Sequence, residues 1–173
     1  MRLLNDNFIH HKAHFLLQCL IIVFFLAAVL FPLGALRASV VTAIGASTLA
    51  SSIFAIFAAP KAAMSAIHRV LGGYTIGILV GLFWHQLFQH FNAQMHQNPL
   101  DHTLTIDLCG SLAVGTAMLI MAMLDLIHTP PVGFALALAI APWNYWVICV
   151  VIAAVLVLCL IKYLLRNWFI NLL

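Results

Sequence analysis

Runs of about 20 apolar residues recur along the whole chain, and each is long enough to cross a bilayer as an α-helix. That repetition constrains the fold more than any other feature. Composition shows why water is excluded as the solvent: only 6% of the 173 residues are charged and 65% are hydrophobic. A soluble domain carries about a quarter charged residues. The reading is an all-α polytopic membrane protein forming a single transmembrane domain in the lipid bilayer.

The pattern divides into five long helices and one short segment. The long spans cover about 14–36, 39–59, 70–91, 105–127 and 144–165, and the short one about 130–142. The first half runs over 14–91 and the second over 105–173, with a connecting loop at 92–104 and a polar lead-in at 1–13. Arg2 and Lys12 precede the first span as in a secretory leader. The apolar stretch Phe15 to Phe31 is longer than the usual ~7–15-residue leader core, however, and Ala35-Leu36-Arg37-Ala38 is a poor cleavage site. It reads as a retained first helix. Pro32 and Pro60 lie near span ends, as expected of a residue that cannot extend a helix ladder. Thr103, Thr105 and Asp107 are placed to cap the fourth helix. Trp143, Tyr145, Trp146, Tyr163 and Trp168 bracket the last span as an interfacial belt.

Charge placement sets the expected orientation. Arg2 and Lys12 precede the first span, Lys61 and Arg69 separate the second and third, and Lys162 and Arg166 close the last. The 92–104 loop has neither Lys nor Arg. The positive-inside rule then expects both termini and the 60–69 loop in the cytoplasm of a bacterial inner membrane, with Arg37 dissenting. For the C-terminus to return inside, the short segment must also cross or nearly cross, although ~13 residues reach only about 20 Å. Six segments form two groups of three with opposite orientations, the inverted-repeat arrangement of many transporters. Gly45-Ala46-Ser47-Thr48 with Ala59-Pro60 in the second segment parallels Val132-Gly133-Phe134 with Ala141-Pro142 in the fifth. Small residues are common in membrane helices, so coincidence and true repetition both stand on this pattern.

Gly73, Gly77 and Gly81 recur every fourth residue, with Gly72 beside them, and leave a groove for a close backbone approach. Ser111 and Gly115 are candidates for the same role on the fourth helix. In Asp125-Leu126-Ile127-His128-Thr129-Pro130-Pro131-Val132-Gly133, two prolines remove two backbone donors and break the helix. Such a break at membrane depth offers a helix N-terminus to an anion. Asp125 and His128, three residues apart, are expected to share a face and pair as proton-handling groups. The hydroxyls of Ser47 and Thr48 either line a polar path or bond carbonyls of their own helix. Lys61, His68 and Arg69 are either plain anchors or a cationic vestibule for an anion.

Other chemistry is not supported. Cys19, Cys109, Cys149 and Cys159 form no CxxC pair and are expected to be small buried hydrophobes. His10, His11 and His14 have ligand spacing, yet no Cys or carboxylate set completes a metal site, and no cofactor is expected. His85, His90, His96 and His102 flank the 92–104 loop as interfacial residues. Catalytic triads, phosphate loops and dinucleotide fingerprints are all missing, so no enzyme is expected. Nor does any basic stripe suggest nucleic acid.

Gly45-Ala46-Ser47, Pro60, Arg69-Val70-Leu71-Gly72-Gly73 with Gly81, and His128 through Leu136 together resemble the HPP family of small integral membrane proteins over about residues 30–165. That family is named for a His-Pro-Pro tripeptide; here Thr129 fills the His slot and His128 stands one place earlier. The resemblance implies transport of a small inorganic anion, since some members are described as nitrite transporters. The expected site lies between Gly45–Thr48 and Thr129–Gly133, with Pro130 and Pro131 shaping it. A homo-oligomer is expected for so small a chain. The rival reading is a non-transporting assembly or sensor module that packs through the Gly73/Gly77/Gly81 face.

Overall fold

Residues 12–35, 39–94 and 99–169 are described by the structure, a computed structural model. Arg2, His10, His11, Arg37 and His96 lie outside them, as do the side chains of Lys12, His14, His102 and Thr103. The described residues form six α-helices: α1 (Lys12–Ala35), α2 (Val40–Ala58), α3 (Ile67–Gln94), α4 (Pro99–Met123), α5 (Pro130–Ile140) and α6 (Tyr145–Leu165). A 3-10 turn, Ala63–Ser65, sits between α2 and α3. By length and apolarity α2, α3, α4 and α6 each suffice to span a membrane, while the apolar part of α1 described in full (Leu16–Val29) and α5 are shorter.

Local chemistry sets the helix boundaries. Ser39, in extended conformation, accepts the Thr42 N–H at 3.2 Å and starts α2. Asn144 does the same for α6 through the Trp146 N–H at 3.0 Å. The expected cap of the fourth helix is corrected: α4 already includes Pro99, so Thr105 and Asp107 lie inside the helix. The end of α4 is a Schellman turn. Leu126 N–H reaches back to Met121 O (2.8 Å) and Asp125 N–H to Ala122 O (3.3 Å), with Asp125 at φ 53°.

With 11 residues, α5 is about 16 Å long, roughly half the hydrocarbon thickness. It is a core element packed against α2, α3 and α4, and Phe134, Ala135, Ala137, Leu138 and Ala139 have no exposed surface. The glycine row of α3 receives this segment step by step. A Cβ on Gly72 would lie 2.6 Å from Leu126, one on Gly73 2.9 Å from the His128 Cβ, one on Gly77 2.7 Å from the Pro131 carbonyl oxygen and one on Gly81 2.8 Å from the Ala135 carbonyl oxygen. The face on which the assembly-module reading depends is therefore filled from within the chain.

Gly110, rather than Gly115, is the glycine of α4 that meets α5, through Leu136 and Ile140; Gly115 has nothing within 4 Å, and Ser111 is exposed. The cysteines also divide: Cys109 and Cys159 are buried, whereas Cys19 and Cys149 are exposed on the outer surface. Lipid tails solvate a thiol's apolar body as well as a core does, so burial was not required of them. Replacing Gly77 with Val should cost about 1–3 kcal/mol, because a backbone carbonyl cannot swing aside as a side chain can. Thermal unfolding in detergent should show that loss for Gly77→Val, with Gly115→Ala unchanged.

Candidate functional site

Just beyond the Schellman turn, the chain buries His128 completely at the head of α5. It fits because Gly73 opposite has no side chain. His128 Nδ1 lies 2.9 Å from the Met64 carbonyl and Nε2 lies 2.9 Å from Ser52 Oγ. Ser52 Oγ in turn lies 3.0 Å from Tyr74 Oη. A carbonyl only accepts, so Nδ1 must carry the proton and Nε2 of the neutral ring must accept. Ser52 therefore donates to His128, and Tyr74 donates to Ser52. One carbonyl fixes the sense of a three-residue hydrogen-bond chain joining α2, α3 and the α4–α5 connection.

The next carbonyl of the 3-10 turn faces a second polar group. Lys162, three residues from the end of α6 and 9% exposed, donates its Nζ to Ser65 O. Ser65, with no exposed surface, donates its hydroxyl to Ala55 O at 2.8 Å. Consecutive carbonyls of one short turn are thus held by an imidazole and an ammonium. Among the described residues no carboxylate pairs with Lys162. Asp125, the acid nearest in sequence to His128, bonds Arg69 Nη2 through both carboxylate oxygens at 2.8 Å and points outward. Its expected pairing with His128 is corrected: the chain leaves the helix at Leu124, so three-residue helical spacing no longer applies.

Burial holds the His128 imidazole below its ordinary value, down to about 4; the Met64 carbonyl opposes the shift and the nearby Lys162 cation adds to it. The ring is neutral at physiological pH. An unfolded chain would take up a proton first, near 6.5, so this group's contribution to stability is full above that pH and is lost as pH falls toward about 4.

The other sequence candidates divide. Gly45 faces the Phe134 ring, at 3.2 Å for an added Cβ, and Thr48 Cγ2 lies 3.3 Å from a Cβ on Gly133, so the two expected segments do meet. They meet in close packing, and α2 runs unbroken through Gly45–Thr48, with the Thr48 hydroxyl bonded to Gly45 O at 2.9 Å. Ser47 is exposed on the opposite side and Ala46 is half-buried. Thr129 is exposed and makes no capping bond. Pro130 and Pro131 have no N–H, and the Val132 N–H already bonds Thr129 O at 3.1 Å, which leaves this helix start few donors for an anion. Lys61 is exposed, and Arg69 is engaged by Asp125.

Four site residues, Ser52, Ser65, Tyr74 and Lys162, were not singled out from the sequence. A lone Ser or Tyr in an apolar run has no distinctive spacing, and Lys162 reads as an ordinary end-of-span cation. The one available signal was a lysine still inside the apolar run ending at Leu165. Tyr74 also borders a groove of about 300 Å³ between α3 and α6, with Leu71, Thr75, Ile152 and Val155. At the other end of α5, Trp143 packs edge-on to His85, ring centroids 5.9 Å apart.

Long apolar helices, a glycine-lined core and a small buried polar cluster define a polytopic helical membrane protein. The model of the HPP transmembrane region matches residues 9–171, so the chain belongs to the HPP family. No curated protein and no solved structure matched it.

Ser52→Ala leaves the Tyr74 hydroxyl and His128 Nε2 without their shared partner and should lower stability by about 1–3 kcal/mol in thermal unfolding. Between pH 7 and pH 4 the unfolding temperature of the parent chain should fall, and His128→Gln should flatten that slope. An equal slope in both would show that His128 does not set it.

Proposed function

We propose that this HPP-family protein carries a small inorganic anion across the membrane, with nitrite the first candidate. The observation that supports this most is Lys162: an ammonium buried in an apolar bundle, bonded to one carbonyl, with no carboxylate in range among the described residues. An ammonium has three N–H donors, and burying a charge is costly unless it is paired. A small planar anion at Lys162 would supply both the missing charge and the missing acceptors. The anion would sit beside Lys162, whose Ser65 carbonyl partner is next in the chain to the Met64 carbonyl held by neutral His128.

On this reading the Lys162 end faces the cytoplasm, in keeping with the cations of the 60–69 loop and the C-terminal segment. Contact between Gly45–Thr48 of α2 and Gly133–Phe134 of α5 supports their being counterparts of an inverted repeat that meet at its axis. Lys61 and Arg69 would then line the approach, Arg69 being exchanged between Asp125 and the incoming anion. Homo-oligomers would bury the exposed apolar face of α4, which carries Leu104, Leu108, Leu112 and Leu119.

Proteoliposomes containing the full chain should take up nitrite above the level of empty vesicles. Lys162→Met should reduce uptake at least tenfold, with Lys162→Arg retaining more of it. No flux of nitrite, nitrate or formate would sink the carrier reading, and unchanged flux in Lys162→Met would remove Lys162 from it.

A further inference from the structure

We infer that His128 takes up a proton through Tyr74 and Ser52 when an anion occupies Lys162, so that anion and proton are bound together. This rests on the carrier reading and adds its coupling partner.

The hydrogen-bond chain supports the inference by its geometry. Tyr74 Oη, Ser52 Oγ and His128 Nε2 are linked at 3.0 and 2.9 Å, and all three residues are buried. The Met64 carbonyl at 2.9 Å keeps a proton on Nδ1 in either charge state, so the site that titrates is Nε2, the one facing the hydroxyls. A hydroxyl both donates and accepts, so the chain can be reversed without moving a heavy atom. The Thr48 hydroxyl beside Tyr74 is the acceptor to which the phenol can turn after reversal.

A hydronium ion gives its proton to Tyr74 Oη and leaves as water. Tyr74 passes its original proton to Ser52 Oγ, and Ser52 passes its own to His128 Nε2. Three O–H bonds break, two new O–H bonds and one N–H bond form, and the positive charge of the hydronium ends on the imidazolium. No electron changes hands.

Charge explains why the anion is needed. Among the described residues, the charged and titratable groups around His128 are Tyr74 from α3 and Lys162 with Cys159 from α6, while Asp125 of its own connection turns outward to Arg69. None of them is an anion at neutral pH. An imidazolium beside the Lys162 ammonium would be repelled in a low-dielectric interior, and an anion between the two removes that repulsion. Coupling of this kind is reciprocal: the anion raises the proton affinity of His128 by the factor by which protonation raises affinity for the anion. The cluster with anion and proton carries the same net charge as the empty one.

The test is nitrogen-15 NMR of the full, histidine-labelled chain in lipid nanodiscs, titrated from pH 8 to pH 4 with and without saturating nitrite. His128 should appear as the Nδ1–H neutral tautomer, with a protonation midpoint at least one pH unit higher in nitrite. In proteoliposomes, Tyr74→Phe should lower the ratio of protons to nitrite taken up by about tenfold. A neutral Nε2–H tautomer overturns the proposal whatever the fluxes are. A midpoint unmoved by nitrite while nitrite flux persists overturns proton linkage and leaves the carrier reading standing. Neither flux nor a midpoint change overturns both.

Discussion

The close approach of α3 to the 126–138 segment is the constraint on which the rest of the molecule depends. Gly72, Gly73, Gly77 and Gly81 allow Leu126, His128, Pro131 and Ala135 to lie directly on the backbone of α3. In lipid, where burial of apolar surface gives little gain between helices, such backbone-level contact is a main source of association energy. It also explains how a helix too short to span can be stable. With its faces against α2, α3 and α4, α5 is solvated by protein, and its broken ends need not meet lipid.

The same contact places the polar cluster. His128 is buried because Gly73 yields space, and its ring then meets the Met64 carbonyl on one side and Ser52 on the other. The polar groups buried around His128 each find a partner, and those partners come from four separate elements. Lys162 stands out because its partner is a carbonyl and not a carboxylate. A cation with no carboxylate partner among the described residues differs electrostatically from the surface pair Arg69–Asp125, where water can screen both charges and the bond contributes little.

Two features often assumed to bind anions in membrane carriers are weakened here. The start of α5 loses N–H donors to Pro130 and Pro131, and α2 is not interrupted at Gly45–Thr48. The proposed anion carriage therefore rests on a cationic side chain near the end of α6 and the neutral imidazole beside it. In the HPP family, named for His-Pro-Pro, this chain places its histidine one residue early. His128 nonetheless lies at the head of α5, where the Schellman turn delivers it.

The spans, the short fifth segment and the glycine row were legible in the sequence because each depends on local or periodic properties. Hydropathy sums over neighbours, prolines act on their own helix, and a four-residue repeat lies on one helix face wherever that helix goes. His128 could be singled out for the same reason, as an ionisable group beside a break. Its partners could not. Ser52, Tyr74, Ser65 and Lys162 lie far apart in the chain, and nothing in their local patterns says that their polar atoms converge. The expected Asp125–His128 pair failed because the helix ends at Met123, before either residue, so helical periodicity does not relate them. The sequence alone determined that the chain is a helical membrane protein with one segment too short to cross as an unbroken helix. Only the tertiary structure decided that this segment fills the glycine groove and gathers a buried histidine and lysine on one turn, because side-chain convergence depends on helix packing in three dimensions.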